Sequence, residues 1–259
     1  MRLFSRKREP SIRRSDWASA PARAPDGERI YAIGDIHGCL DLLKMLVAAI
    51  EEEQRDLPPA RPTIVFLGDY VDRGPDSFGV IEWLSRRPLP DFGRVHLRGN
   101  HEEWFEEFLD DISVGPSWLY CGGVATLASY GIRAALGEDD PMRLRAMQAD
   151  LAAALPAAHR RFLRTLDYHC AMGGYLFVHA GIRPGVPLAE QSPDDLIWIR
   201  DDFLYATADH GQVVVHGHTI VNEAQVCPNR IGVDTGAFAT NVLTCLVLEA
   251  DRYRLIQTA

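Results

Sequence analysis

Five times along this chain a short apolar run ends in a glycine-bearing loop that carries aspartate, asparagine or histidine. The loops are Gly34-Asp35-Ile36-His37-Gly38, Gly68-Asp69-Tyr70-Val71-Asp72-Arg73-Gly74, Arg98-Gly99-Asn100-His101-Glu102, His179-Ala180-Gly181 and His216-Gly217-His218-Thr219. The runs before them are Ile30 to Ile33, Thr63 to Leu67, Arg94 to Leu97, Leu176 to Val178 and Val213 to Val215, and they read as short buried strands. A strand followed at once by such a loop puts the polar side chain at the strand's C-terminal edge, where open α/β sheets collect their ligands. A chain built this way must bring several strand ends to one rim.

Between the loops the pattern is helical. Leu40, Leu43, Leu46 (or Val47) and Ile50 recur at helical spacing up to the Pro58-Pro59 break. Val80, Ile81 and Leu84 mark a second helix, expected to stop near Pro88, and Trp104, Phe105 and Phe108 mark a third. Strand, loop and helix thus follow one another as in βαβ units. Toward the C-terminus, Arg230 to Val233 and Leu243 to Leu248 read as strands with little helix between them. An α/β first half and a mostly β second half fit two packed sheets with helices outside, not a single parallel sheet. The stretch from about 103 to 171 interrupts the loop series and is helical in pattern, as in Met142 to Leu155 and His159 to Leu166. We expect an insert that covers the loops and sets access to them.

The chain's 259 residues, 47% of them hydrophobic, suffice for one large domain. A formal net charge of -9 argues against a general nucleic-acid binder. Apolar stretches are too short to span a bilayer, so no membrane partner is expected. The basic N-terminus has no apolar core behind it, so it does not read as a secretory signal. Cysteines 39, 121, 170, 227 and 245 form no CxxC pair, which fits reduced thiols and a cytoplasmic protein. Residues 1–28 stand apart from a domain over 29–259. They are rich in arginine, serine, alanine and proline, and read as a disordered leader or as a basic docking arm. Trp17 is the one residue there able to pack onto the domain.

The loop residues are suited to two divalent metals about 3.5–4 Å apart, which need a shared anionic ligand. Asp69 ends the second strand between the other two N-terminal loops and is the natural bridge. Asp35 and His37 can face one ion, and Asn100, His179 and His218 offer a carbonyl and imidazoles for the other. The mixed donor set suits Mn²⁺, Fe or Zn²⁺, and Mg²⁺ less well. Trp104, Trp118, Tyr120 and Trp198 read as packing residues, with a place at the site entrance open to one of them, and Asp234 as a turn residue after a strand or a support behind the ligands.

These motifs resemble the phosphoprotein phosphatase family of the calcineurin-like metallophosphoesterases. The family's GDxHG, GDxVDRG and GNHE signatures stand here as GDIHG, GDYVDRG and GNHE, followed in order by HAG and GHT. The resemblance covers roughly residues 29–250 and implies an αββα sandwich, a mixed α/β fold of two mixed sheets flanked by helices. It implies a first metal on Asp35, His37 and Asp69, with Asp69 bridging to a second on Asn100, His179 and a histidine of the HGHT segment. His216 and His218 both offer imidazoles there, and the family pattern selects the one after the glycine, His218. A metal-activated hydroxide would attack phosphorus in line. His101 would protonate the leaving oxygen, with Asp72 orienting its ring. Arg73 and Arg98 would grip the phosphate, with simple pairing to acidic side chains at the surface as their competing reading; Arg200 would join them, with a surface ion pair to the adjacent Asp201 or Asp202 competing.

The resemblance implies a metal-dependent serine/threonine protein phosphatase acting on a phosphorylated protein or a small phosphoester. The alternative is a symmetrical diadenosine tetraphosphate hydrolase, whose relatives share the core motifs but tend to depart from the DRG triplet intact here at Asp72-Arg73-Gly74. A non-catalytic binding module would be expected to lose ligands, and every expected ligand is in place.

Overall fold

Along Ile30 to Ile33 every residue is buried, and alternate side chains go to different cores. Ile30 and Ala32 pack with Val65, Leu67, Tyr175, Phe177 and Val215, whereas Tyr31 and Ile33 pack with Leu43, Leu46, Phe66, Val80 and Phe105. A strand apolar on both faces must be covered on both, and that requirement generates the layers of the molecule.

The computed structural model describes residues 11–86 and 89–259. Strands β1 (Ile12–Arg14), β2 (Ala18–Ser19) and β3 (Glu28–Ile33) lead to helix α1 (Leu40–Asp56), β4 (Arg61–Phe66), α2 (Ser77–Ser85), β5 (Gly93–His96) and α3 (Asn100–Asp110). Helix α4 (Gly115–Trp118), a π turn over Leu119–Gly123, α5 (Val124–Ser129), α6 (Pro141–Ala154) and α7 (Ala157–Arg164) follow. Then come β6 (His169–Met172), β7 (Tyr175–Val178), α8 (Pro193–Trp198), β8 (Val213–His216), β9 (Gln225–Val226), β10 (Arg230–Gly232), β11 (Thr244–Glu249) and β12 (Arg252–Thr258).

The first sheet runs β1-β12-β11-β3-β4-β5 with β2 also on β12, and the second runs β6-β7-β8-β10-β9. Strands β3, β4 and β5 are parallel, as are β7, β8 and β10. One apolar core lies between the sheets, a second between the first sheet and the helices, and a third where α8 covers Leu176, Val178 and Val214. This is the expected αββα sandwich.

Three features depart from the sequence reading. Residues 11–28, expected as a disordered leader, are ordered against the sheet: Ile12 pairs with Thr258, Ala18 with Tyr253, and Trp17 lies under Arg252 and Arg254 at 4.3 and 4.9 Å. The physical reason is edge protection, because β12 would otherwise present unpaired backbone groups to solvent. The basic residues of 1–10 and the expected helix stop at Pro88 lie outside the described residues. The helical interval, expected to cover the loops, also packs into a core behind them. Phe105, Phe108, Trp118, Leu119 and Leu127 join the same core as α1 and α2, so this segment backs the first sheet. It also ends earlier than expected, since His169–Met172 is strand β6.

Candidate metal centre and active site

Both sets of parallel strands point their C-terminal ends to one rim, and the five loops meet there. The turns are tight enough to force unusual backbone. His37, Asp69, Asp72, Arg73 and His218 all have φ between 43° and 71°, the left-handed region that non-glycine residues seldom occupy. Two glycines are required by close approach. A Cβ at Gly99 would overlap the Asp69 carboxylate, and one at Gly217 would overlap that of Asp35.

Asp69 sits at the centre and is buried. Helix α3 directs its N-terminus at it, and the His101 N–H donates to Asp69 Oδ1 at 3.1 Å, a favourable end for an anion. Burial opposes its ionisation, but the imidazoles gathered round it, His179 and His101 first, hold its carboxyl below the usual range whenever they carry a proton. Its two oxygens face different imidazoles: Oδ2 lies 3.5 Å from His37 Nε2 and Oδ1 lies 3.4 Å from His179 Nε2. Two ligand clusters share it, His37/Asp69/His101 and Asp69/His179/His218, with the ligand atoms of each within 4.8 Å.

The orphaned atoms show that this donor set fits cations. His37 Nδ1–H donates to the Val71 carbonyl at 2.7 Å and His179 Nδ1–H to the Leu67 carbonyl at 2.8 Å. These bonds fix the tautomers and turn both Nε2 lone pairs inward, the usual arrangement of a metal-binding histidine. Burial keeps His37 and His179 below the ordinary histidine range and takes His218 down to about 2, so all three are neutral donors. His179 Nε2 then faces Asn100 Oδ1 at 3.1 Å with no proton between two acceptors. His37 Nε2 and His218 Nε2 are buried and have no hydrogen-bond partner among the described residues. Such convergence of lone pairs is costly unless a cation takes it up.

Asp35 stands beside these clusters rather than in them. Both its oxygens accept the His218 backbone N–H at 3.1 Å. Burial first, then the charges of Asp234 and Asp69, push its carboxyl well up. Asp234 is therefore more than a turn residue: its Oδ1 accepts the Gly236 N–H, its Oδ2 is buried with no hydrogen-bond partner among the described residues, and burial raises it to about 6. His216 is also buried, but its ring packs edge-on against Phe203 and beside Gly232, away from the clusters. His218 is the HGHT histidine that reaches them.

His101 is held differently. Its Nδ1–H donates to Asp72 Oδ2 at 2.6 Å, and its Nε2, while the ring is neutral, accepts from Arg73 Nη2 at 3.0 Å. Burial disfavours its charge, yet the neighbouring Asp69 and Asp72 carboxylates prevail and raise its pKa. Arg73 stacks over Phe238 at 5.0 Å. Arg200 is exposed, donates to Thr219 Oγ1 at 3.4 Å and faces the clusters closely enough to depress His179 and His218. Asp202, its expected ion-pair rival, pairs with Arg183 instead. Arg98 does not join the group as expected. Its Nη1 pairs with Glu106 at 2.6 Å and its Nη2 donates to the Leu163 carbonyl at 3.0 Å, so both terminal nitrogens brace α3 against α7.

Two residues carry site roles that residue reading did not assign. Glu102 accepts four backbone N–H groups, from Asp69 and Gly99 on Oε2 and from Tyr70 and Val71 on Oε1, and so staples two ligand loops together. Its place in the GNHE motif was the available signal. Trp118, expected to pack, also donates its indole N–H to Asp72 at 2.9 Å.

Known proteins resemble this chain along most of its length. The profile of calcineurin-like phosphoesterases matches residues 28–251. Serine/threonine-protein phosphatase 1 of Salmonella typhimurium is 29% identical over 231 residues, covering 85% of this chain and 92% of that protein. The asymmetrical bis(5'-nucleosyl)-tetraphosphatase PrpE of Bacillus velezensis is 28% identical over 242 residues, covering 82% and 86%. Among solved structures, the cold-active protein-tyrosine phosphatase of a psychrophilic Shewanella species shares the fold with a TM-score of 0.54 at 15% identity, over 90% of this chain and 80% of that one.

Proposed function

The chain belongs to the calcineurin-like phosphoesterase family, hydrolases of phosphoric esters, and within it we propose a serine/threonine protein phosphatase that uses two divalent ions. Asp35, His37 and Asp69 would hold one ion, and Asp69, Asn100, His179 and His218 the other. Manganese is our choice of metal, with iron and zinc compatible with the same imidazole, carboxylate and amide donors. Bound there, the ions would supply the nucleophile at neutral pH and offset the charge on phosphorus.

The observation that carries the reading is the His101–Asp72 pair. An alkoxide leaving from phosphoserine or phosphothreonine is strongly basic and gains most from protonation in the transition state. A nucleotide leaving from a polyphosphate chain is a weak base and gains little. A buried histidine with a raised pKa, oriented at 2.6 Å by a carboxylate, is built for the harder leaving group. Arg73, 3.0 Å from the same ring, would draw a phosphoryl oxygen toward it, and Arg200 would close on the group from the other loop. The Salmonella phosphatase, similar along most of both chains, supports this reading.

The PrpE relatives favour a second reading, hydrolysis of dinucleoside polyphosphates, at nearly equal identity and coverage. Symmetrical tetraphosphatases match over shorter stretches, 28% of this chain for that of Legionella pneumophila and 60% for that of Aromatoleum aromaticum. The test is kcat/KM of the Mn²⁺-loaded protein on a phosphothreonine peptide and on diadenosine tetraphosphate. We expect clear preference for the peptide. Preference for the dinucleotide would overturn the proposal, and its products would separate asymmetrical from symmetrical cleavage.

A further inference from the structure

Asp72 is fully buried with φ at 71°, and every side-chain contact it makes is with a donor. Besides His101, its Oδ2 accepts Trp118 Nε1–H at 2.9 Å, and its Oδ1 accepts the Thr126 hydroxyl at 2.6 Å. Thr126 Oγ1 in turn accepts the Asp72 backbone N–H at 2.8 Å and lies 2.9 Å from Ser77 Oγ. Because the Thr126 proton goes to the carboxylate, the Ser77 hydroxyl donates to Thr126, and the direction of the whole chain is fixed. The same segment holds the next residue, since the Arg73 N–H donates to the Gly122 carbonyl at 3.2 Å. Trp118 ends α4 and Thr126 lies in α5, so the π turn between them sets their mutual orientation.

We propose that Trp118 and Thr126 are positioning residues of the general acid. They hold the Asp72 carboxylate as an acceptor with one orientation, which fixes the His101 tautomer and aims Nε2 at the leaving oxygen. A carboxylate with a single partner could rotate; one held by an indole, a hydroxyl and an imidazole cannot. The inference rests on His101 acting as the acid, so its test must separate the two claims.

Thr126→Val, Thr126→Ser, Trp118→Phe and His101→Asn are compared on a phosphothreonine peptide and on nitrophenyl phosphate, with bound metal measured in each. Thr126→Val should lower kcat on the peptide by about 10- to 100-fold, the scale of one lost hydrogen bond to a charged group, and change the aryl substrate little. Thr126→Ser should restore the peptide rate, and metal content should not move. Trp118→Phe should show the same selective loss, and it carries the test if Thr126→Val does not fold. Equal loss on both substrates, loss of metal, or no rescue by serine would overturn the positioning role. If His101→Asn itself shows no dependence on the leaving group, the acid reading falls and the positioning role with it. If His101→Asn shows that dependence and the Thr126 and Trp118 variants do not, only the positioning role falls.

Discussion

Asp69 offers one oxygen to each ligand cluster, so two sites depend on one side chain. Asp69→Asn should therefore remove both ions together, read as metal content after gel filtration, and retention of two tightly held ions would refute the bridge. His216 provides a separate check at this scale. Burial lowers its pKa from 6.5 to about 4, so below pH 6.5 the unfolded chain takes up a proton there that the folded chain refuses. Its share of stability is complete above pH 6.5 and is lost as the pH falls toward 4. His216→Gln should flatten that window by roughly 1.4 kcal/mol per pH unit. Urea unfolding at pH 7 and pH 5 measures it, and an unchanged slope would show that His216 is solvated. At this scale the motifs were legible, since a glycine beside a ligand is a local pattern. The side chain chosen by a contact was not, and His218 over His216 was selected by resemblance before geometry.

Glu102 acts between elements. It lies in the first turn of α3 yet binds the backbone of the loop after β4, drawing Gly68–Val71 onto Gly99. Glu102→Gln keeps the size but turns two N–H donors toward backbone N–H groups. A loss of about 3 kcal/mol in unfolding free energy follows, with weaker metal binding. A variant as stable as the parent by denaturant melt would remove this role. Elements were read well where periodicity was strong: α1, α2 and α3 and the seven strands before the loops and near the C-terminus stand close to their expected places. The strands in 11–28 were missed because β1 and β2 are too short to show alternation, and they exist only because β12 needs an edge partner. For Arg98 the motif did not choose between phosphate and an acidic partner. Its partners Glu106 and the Leu163 carbonyl come from helices whose packing the motif does not report.

The centre joins the two sheets of the whole molecule. Asp35, His37, Asp69 and Asn100 come from the first sheet's loops, His179 and His218 from those of the second, with the inter-sheet core beneath. Ions bound there cross-link the sandwich, so saturating Mn²⁺ should raise the melting temperature over the chelated protein by roughly 5–10 °C. A shift absent in the parent would mean that the lone pairs do not form a loaded site. A shift that persisted in Asp69→Asn would place the ions elsewhere. The glycine-bearing loops, their order and the strand ends that carry them were legible in the chain alone, because they depend on short-range pattern and chain geometry. Packing set which oxygen of Asp69 faces which imidazole, and put Arg73 against the His101 ring while Arg98 turned to Glu106. It alone brought Thr126 to Asp72 from 54 positions away, because such contacts are set by packing between segments that carry no mark of one another.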